Sequence, residues 1–220
     1  MQMAALPLHL PALAFDYFDV IAAVWLIIGI FRGRKRGMSQ EMLPLIQWLA
    51  IIVVAGLFYQ PFGVLIHQTA QFERLWSNVL AYILIGFGIH LLYLWMKSLV
   101  GEKLVGSDLF GRSEYYLGMA SGMIRFTCML VALCALLNAR IVSAAERAQT
   151  EKMQAQAFSD IRFPTYGSVQ QEVLFQSFTG QLIETNLRPL LIVSTAPAKE
   201  QKHEIMGQRD LDSILGPAKK

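Results

Sequence analysis

Four apolar stretches, at about residues 14–31, 42–58, 79–96 and 116–137, leave this chain few ways to fold. Each falls within the roughly 17–25 residues that a helix needs to cross a hydrocarbon layer. So many such stretches in one short chain exceed what the core of a soluble domain holds. Composition agrees, because 16% of the 220 residues are charged, against roughly 25% in soluble domains. The charges also cluster in the connections. The expected fold is an all-α integral membrane protein with four transmembrane helices and an amphipathic helical C-terminal segment.

The segment Arg32-Gly33-Arg34-Lys35-Arg36-Gly37 joins the first two stretches and carries four cations. A short loop with this Lys/Arg excess stays on the cytoplasmic side, so it orients every other crossing. Both termini are then expected outside, in the periplasm of a Gram-negative cell. A net charge of +3 is too small to point to nucleic acid. Residues 1–14 hold no Lys or Arg. Without a basic n-region they read as a non-cytoplasmic leader rather than a secretory signal.

Asp19 lies thirteen residues before Arg32, so roughly 20 Å above the inner boundary in one helix. Arg125 lies eleven residues after Glu114, roughly 16 Å into the membrane. Ionisable groups at such depth are rare and pair or serve a function. The two depths nearly coincide, so an Asp19–Arg125 pair inside the bundle is one expectation. Separate snorkelling, or an Arg125 facing a wet cavity, is the other. His90 sits roughly 10 Å inside the third crossing, as a neutral imidazole bonded to a neighbouring helix or as a proton relay.

Ser39 reads as the N-cap of the second helix. Glu41 would then stand in its first turn, neutralising the basic run, with Pro44 close behind. Residues 59–78 read as an outer loop with room for a short interfacial helix, and His67 as a solvated loop residue. Trp76 and Trp95 bracket the third crossing as interfacial aromatics do. Gly101, Gly106 and Gly111 punctuate the connection that follows. Gly118 and Gly122 share one face of the fourth helix and let a neighbouring backbone approach. Cys128 and Cys134 lie about 240° apart around one helix and cannot pair with each other.

No metal cluster, phosphate loop or hydrolase motif is present in the sequence, so no catalytic, cofactor-binding or metal residues are assigned. Beyond a transmembrane domain at 1–139, residues 140–193 read as an amphipathic helical periplasmic segment. It contains a helix at about 169–186 that packs on the outer loop or lies on the membrane surface. Residues 194–220 read as disordered, with a short helix near 210–215.

The order Asp19, Arg36-Gly37-x-x-x-Glu41, Trp48 and Leu117-Gly118-x-x-x-Gly122-x-x-Arg125 resembles the colicin V production protein family over about Asp19–Ala139. Glu114-Tyr115 stand where the family usually has Asp-Arg, and Phe126 where it usually has Gly. The resemblance implies a non-enzymatic bacterial inner-membrane protein linked to bacteriocin production or export and to envelope maintenance. Its expected partners are the lipid bilayer and either a second copy or an export or envelope protein. The alternative is a small oligomeric channel or transporter using Asp19, His90 and Arg125.

Overall fold

The computed structural model describes residues 16–105, 111–158 and 163–195. The expected leader at 1–14, Gly106, and the tail from 196 onward, with its helix near 210–215, lie outside them. Helix α1 runs Tyr17–Ala50 and α2 Gly56–Ala70, joined by a π-helical turn at Ile51–Ala55. Helix α3 spans Arg74–Val105 and α4 Glu114–Leu137. The C-terminal segment holds α5 (Ala144–Phe158), α6 (Tyr166–Gln170), a second π turn at Gln171–Gln176, and α7 (Phe178–Leu187). Among the described residues there is no strand, only an isolated bridge between Arg140 and Thr195. This is an all-α membrane protein. Three continuous helical stretches are long and apolar enough to cross a bilayer: Tyr17–Ala70, Arg74–Leu99 and Glu114–Leu137.

The first stretch holds 54 residues, roughly 80 Å of helix, far more than one crossing requires. It is divided at Gly37, whose φ of 75° and ψ of 167° leave helical space. A Cβ is disfavoured at such a φ, so glycine suits the break. The chain doubles back there. Along the first arm, Gly29, Gly33 and Gly37 meet Phe126, Gly118 and Glu114 in turn, descending α4. Beyond Gly37 the chain climbs again, through Glu41 against Arg125 to Tyr59, whose hydroxyl accepts from Val193 N–H at 2.8 Å.

The crossing of α1 and α4 is built on small residues. A Cβ on Gly29 would come within 2.8–3.0 Å of Phe126 and of the Gly122 carbonyl oxygen. Gly33 and Gly118 approach still more closely, backbone to backbone. In lipid, where apolar side chains gain little by leaving the solvent, such close approach is a main source of helix association.

Three boundaries differ from the sequence expectations. The second helix restarts directly after Gly37, so Ser39 lies buried in its first turn rather than capping it. The expected outer loop at 59–78 is mostly helix: α2 continues through Pro61 to Ala70, and α3 begins at Arg74 after a three-residue turn. Gly63 packs directly on Asn78 and holds these two arms together. His67 serves this turn, its Nδ1 lying 2.5 Å from the Phe72 carbonyl oxygen. The third helix also runs on through Gly101 to Val105, because an isolated glycine weakens a helix without ending it.

The C-terminal segment closes the end of the bundle opposite the basic turn. The expected helix at about 169–186 is broken at Ser177, which is extended (φ −76°, ψ 145°). Its hydroxyl accepts from Gly180 N–H at 2.9 Å and donates to the Val173 carbonyl at 2.6 Å. That cap starts a new helix instead of continuing the old one. Leu174, Leu191 and Ile192 from this segment join one apolar core with Phe18, Ala22, Ile52, Ala55, Tyr59, Val131, Cys134 and Ala135. Cys128 and Cys134 are free thiols, both buried. Thr195 N–H donates to the Ala139 carbonyl at 3.0 Å, and Asn138 Nδ2 donates to Ile192 O at 3.1 Å. The segment therefore packs on the ends of α1 and α4.

Candidate functional site

The ionisable side chains inside the bundle are resolved differently from the expected Asp19–Arg125 pair. Arg125 meets Glu41: Nη1 lies 2.7 Å from Glu41 Oε2. The Glu41 side chain is fully buried and that of Arg125 is 6% exposed. Glu41 Oε1 also accepts from Arg36 Nη1 at 3.3 Å. One carboxylate thus joins a guanidinium from the basic turn to another in mid-bundle. The 2.7 Å approach is an ion contact without hydrogen-bond alignment, and Arg125 Nε has no hydrogen-bond partner among the described residues. Phe126 covers the guanidinium from one side, its ring centre 5.1 Å away.

Backbone geometry explains the partnership. A helical Cα–Cβ bond tilts toward the N-terminus of its helix. Arg125 on α4 therefore reaches back toward the basic end, where Glu41 stands one turn past Gly37. The glycine register opposes Gly29 to Gly122 and Gly33 to Gly118. It places Arg125 across from about residue 26, seven residues or ~10 Å along the helix from Asp19. That offset is why Asp19 does not meet it.

Asp19 has its own task at the far end. Its Oδ1 accepts from Thr179 N–H at 2.7 Å and its Oδ2 from Phe178 N–H at 2.9 Å. Oδ2 also accepts from Asp16 N–H at 3.1 Å, completing a reciprocal cap at the start of α1. Phe178 and Thr179 are the first two residues of α7, whose N–H groups have no acceptor inside that helix. A carboxylate there satisfies them and suits the positive end of the helix dipole. Sequence distance hid this contact, because Asp19 and Thr179 are 160 residues apart.

His90 is hydrogen-bonded to a neighbouring helix. Its Nδ1 lies 2.8 Å from Gln47 Nε2, and its ring stacks near Tyr93. Trp48, one residue on from Gln47, packs against the apolar core. Of the other residues singled out in the sequence, Arg36 and Glu41 belong to the ion cluster. Gly37 makes the turn, and Gly118 and Gly122 form the crossing. Among the described residues no group of His, Cys, Asp or Glu could hold a metal ion.

The family model described as colicin V production protein matches residues 18–160. The match takes in all of α2, α3 and α4 and reaches beyond α5. No curated protein and no solved structure matches the chain.

Proposed function

The chain belongs to the colicin V production protein family, and on that footing we propose that it is a non-enzymatic scaffold or export accessory of the bacterial inner membrane. The observation that carries this reading is that the intramembrane polar groups are spent on holding the protein together. Glu41 and Arg125 fasten the hairpin to α4. Asp19 fastens the C-terminal segment to α1, and Gln47 ties His90 to the second arm. An ion path through Asp19, His90 and Arg125 would need these groups free to exchange partners. Each is engaged by a different one.

The chain crosses the bilayer four times in this reading, with Arg32–Arg36 on the cytoplasmic side. Its partners are the lipid and either a second copy or a protein of the export or envelope machinery. Helix α3 offers the surface for association, since little of its apolar length is buried within the chain. Crosslinking from native membranes through a photoreactive group at Phe87 or Leu91, both exposed on α3, tests this. A discrete protein adduct, either a dimer or one partner of fixed mass, is expected. Adducts to lipid alone would refute association through this helix. In proteoliposomes the protein is expected to conduct neither protons nor ions. A conductance abolished by His90→Ala or Arg125→Ala would replace the scaffold with a channel.

A further inference from the structure

A groove of about 820 Å³ opens at the basic end of the bundle, lined by Phe31, Arg34, Lys35, Tyr115, Tyr116 and Met119. We propose that this groove binds the headgroup and upper acyl chains of an anionic phospholipid. Phe31, Arg34 and Lys35 are spaced i, i+3, i+4 and so share one face of the first arm. Tyr115, Tyr116 and Met119 share a face on the opening turns of α4 in the same way. The Gly33–Gly118 contact brings the two backbones together, and the larger side chains on either side of it form the walls.

The chemistry of the groove is graded along the membrane normal. Phe31 lies one turn nearer the middle of the bundle than Lys35, so its ring faces the level of the acyl chains. Arg34 and Lys35 stand at the level of the phosphate. Tyr115 and Tyr116 are largely exposed, as aromatic residues are at a lipid headgroup boundary. Charge points the same way. Arg36 is committed to Glu41, whereas Arg34 and Lys35 enter no ion pair among the described residues. The nearest acid on α4, Glu114, is turned toward Gly37. Two uncompensated cations above an apolar floor match a phosphodiester carrying acyl chains better than a free anion. Topogenic charge alone requires no groove.

The test uses the full chain in detergent, with lipid adducts counted by native mass spectrometry. Phosphatidylglycerol and phosphatidylcholine are offered at equal concentration. Each cation seated beside a bound headgroup strengthens anionic-lipid binding roughly fivefold. Arg34→Gln with Lys35→Gln is therefore expected to lower phosphatidylglycerol retention about thirtyfold and leave phosphatidylcholine unchanged. Arg32→Gln with Lys97→Gln removes the same charge outside the groove and is expected to leave retention near wild type. Should the first pair not yield folded protein, Tyr115→Ala with Tyr116→Ala keeps the basic charge and is expected to lower retention severalfold. Equal retention of the two lipids would overturn the proposal, as would an equal loss in both double cation variants. Displacement of phosphatidylglycerol by millimolar inorganic phosphate would make the groove a free-phosphate site instead.

Discussion

Glu41→Ala is expected to cost about 3–5 kcal/mol, because it strands Arg125 as an uncompensated charge inside the bundle. Glu41 makes the only ion pair of Arg125 among the described residues, and Arg125 Nε finds no acceptor there. Neither water nor lipid headgroup lies within easy reach of a side chain 6% exposed. A domain with about 5–15 kcal/mol of total stability does not absorb such a loss without consequence. The variant should aggregate on extraction or melt far below the wild type in detergent. The pair itself is worth less than its breakage suggests, because burying both charges is expensive in the first place. Glu41→Leu combined with Arg125→Leu should therefore recover most of the stability that either change alone removes. If Glu41→Ala melts with the wild type, the ion pair does not secure the hairpin.

Asp19→Ala is expected to release the C-terminal segment while leaving the transmembrane helices folded. It removes the acceptor for Phe178 and Thr179 N–H. Hydrogen bonds to charged groups are each worth about 1.5–3 kcal/mol. With two such bonds at the low end of that range, a loss of about 3 kcal/mol would raise amide exchange across α7 by roughly 150-fold, and much less within α4. Asp19→Asn keeps one acceptor oxygen and should fall between the two. Uniform acceleration throughout the molecule would mean that Asp19 supports the whole bundle. No acceleration in α7 would mean that the contact contributes nothing.

The apolar stretches and the basic turn were legible because lipid imposes them: crossing length and loop charge are read directly from residue type. The close glycine crossing was legible from Gly118 and Gly122 alone. The partner of Arg125 was misread because depth was counted from the nearest charged residue, and a basic turn does not mark a membrane boundary that sharply. The four-residue spacing of Gly29, Gly33 and Gly37 held the missing information. Paired with Gly118 and Gly122, it fixes the register of α1 on α4 and points Arg125 toward Glu41. The length of α2 went unread because Pro61 and the polar residues near it look like a loop. Packing of Gly63 on Asn78 overrides that local preference. The bond from Asp19 to the start of α7 was beyond sequence reasoning, since it depends on where a segment 160 residues away comes to rest.

Single cysteines at Lys35 and Glu151, probed in intact cells with a membrane-impermeant thiol reagent, test the proposed orientation most directly. Both native cysteines are buried, so the background is expected to be low. The orientation proposed here predicts labelling at residue 151 and none at residue 35 until the membrane is opened. Labelling at 35 in sealed cells, or protection at 151, would contradict it.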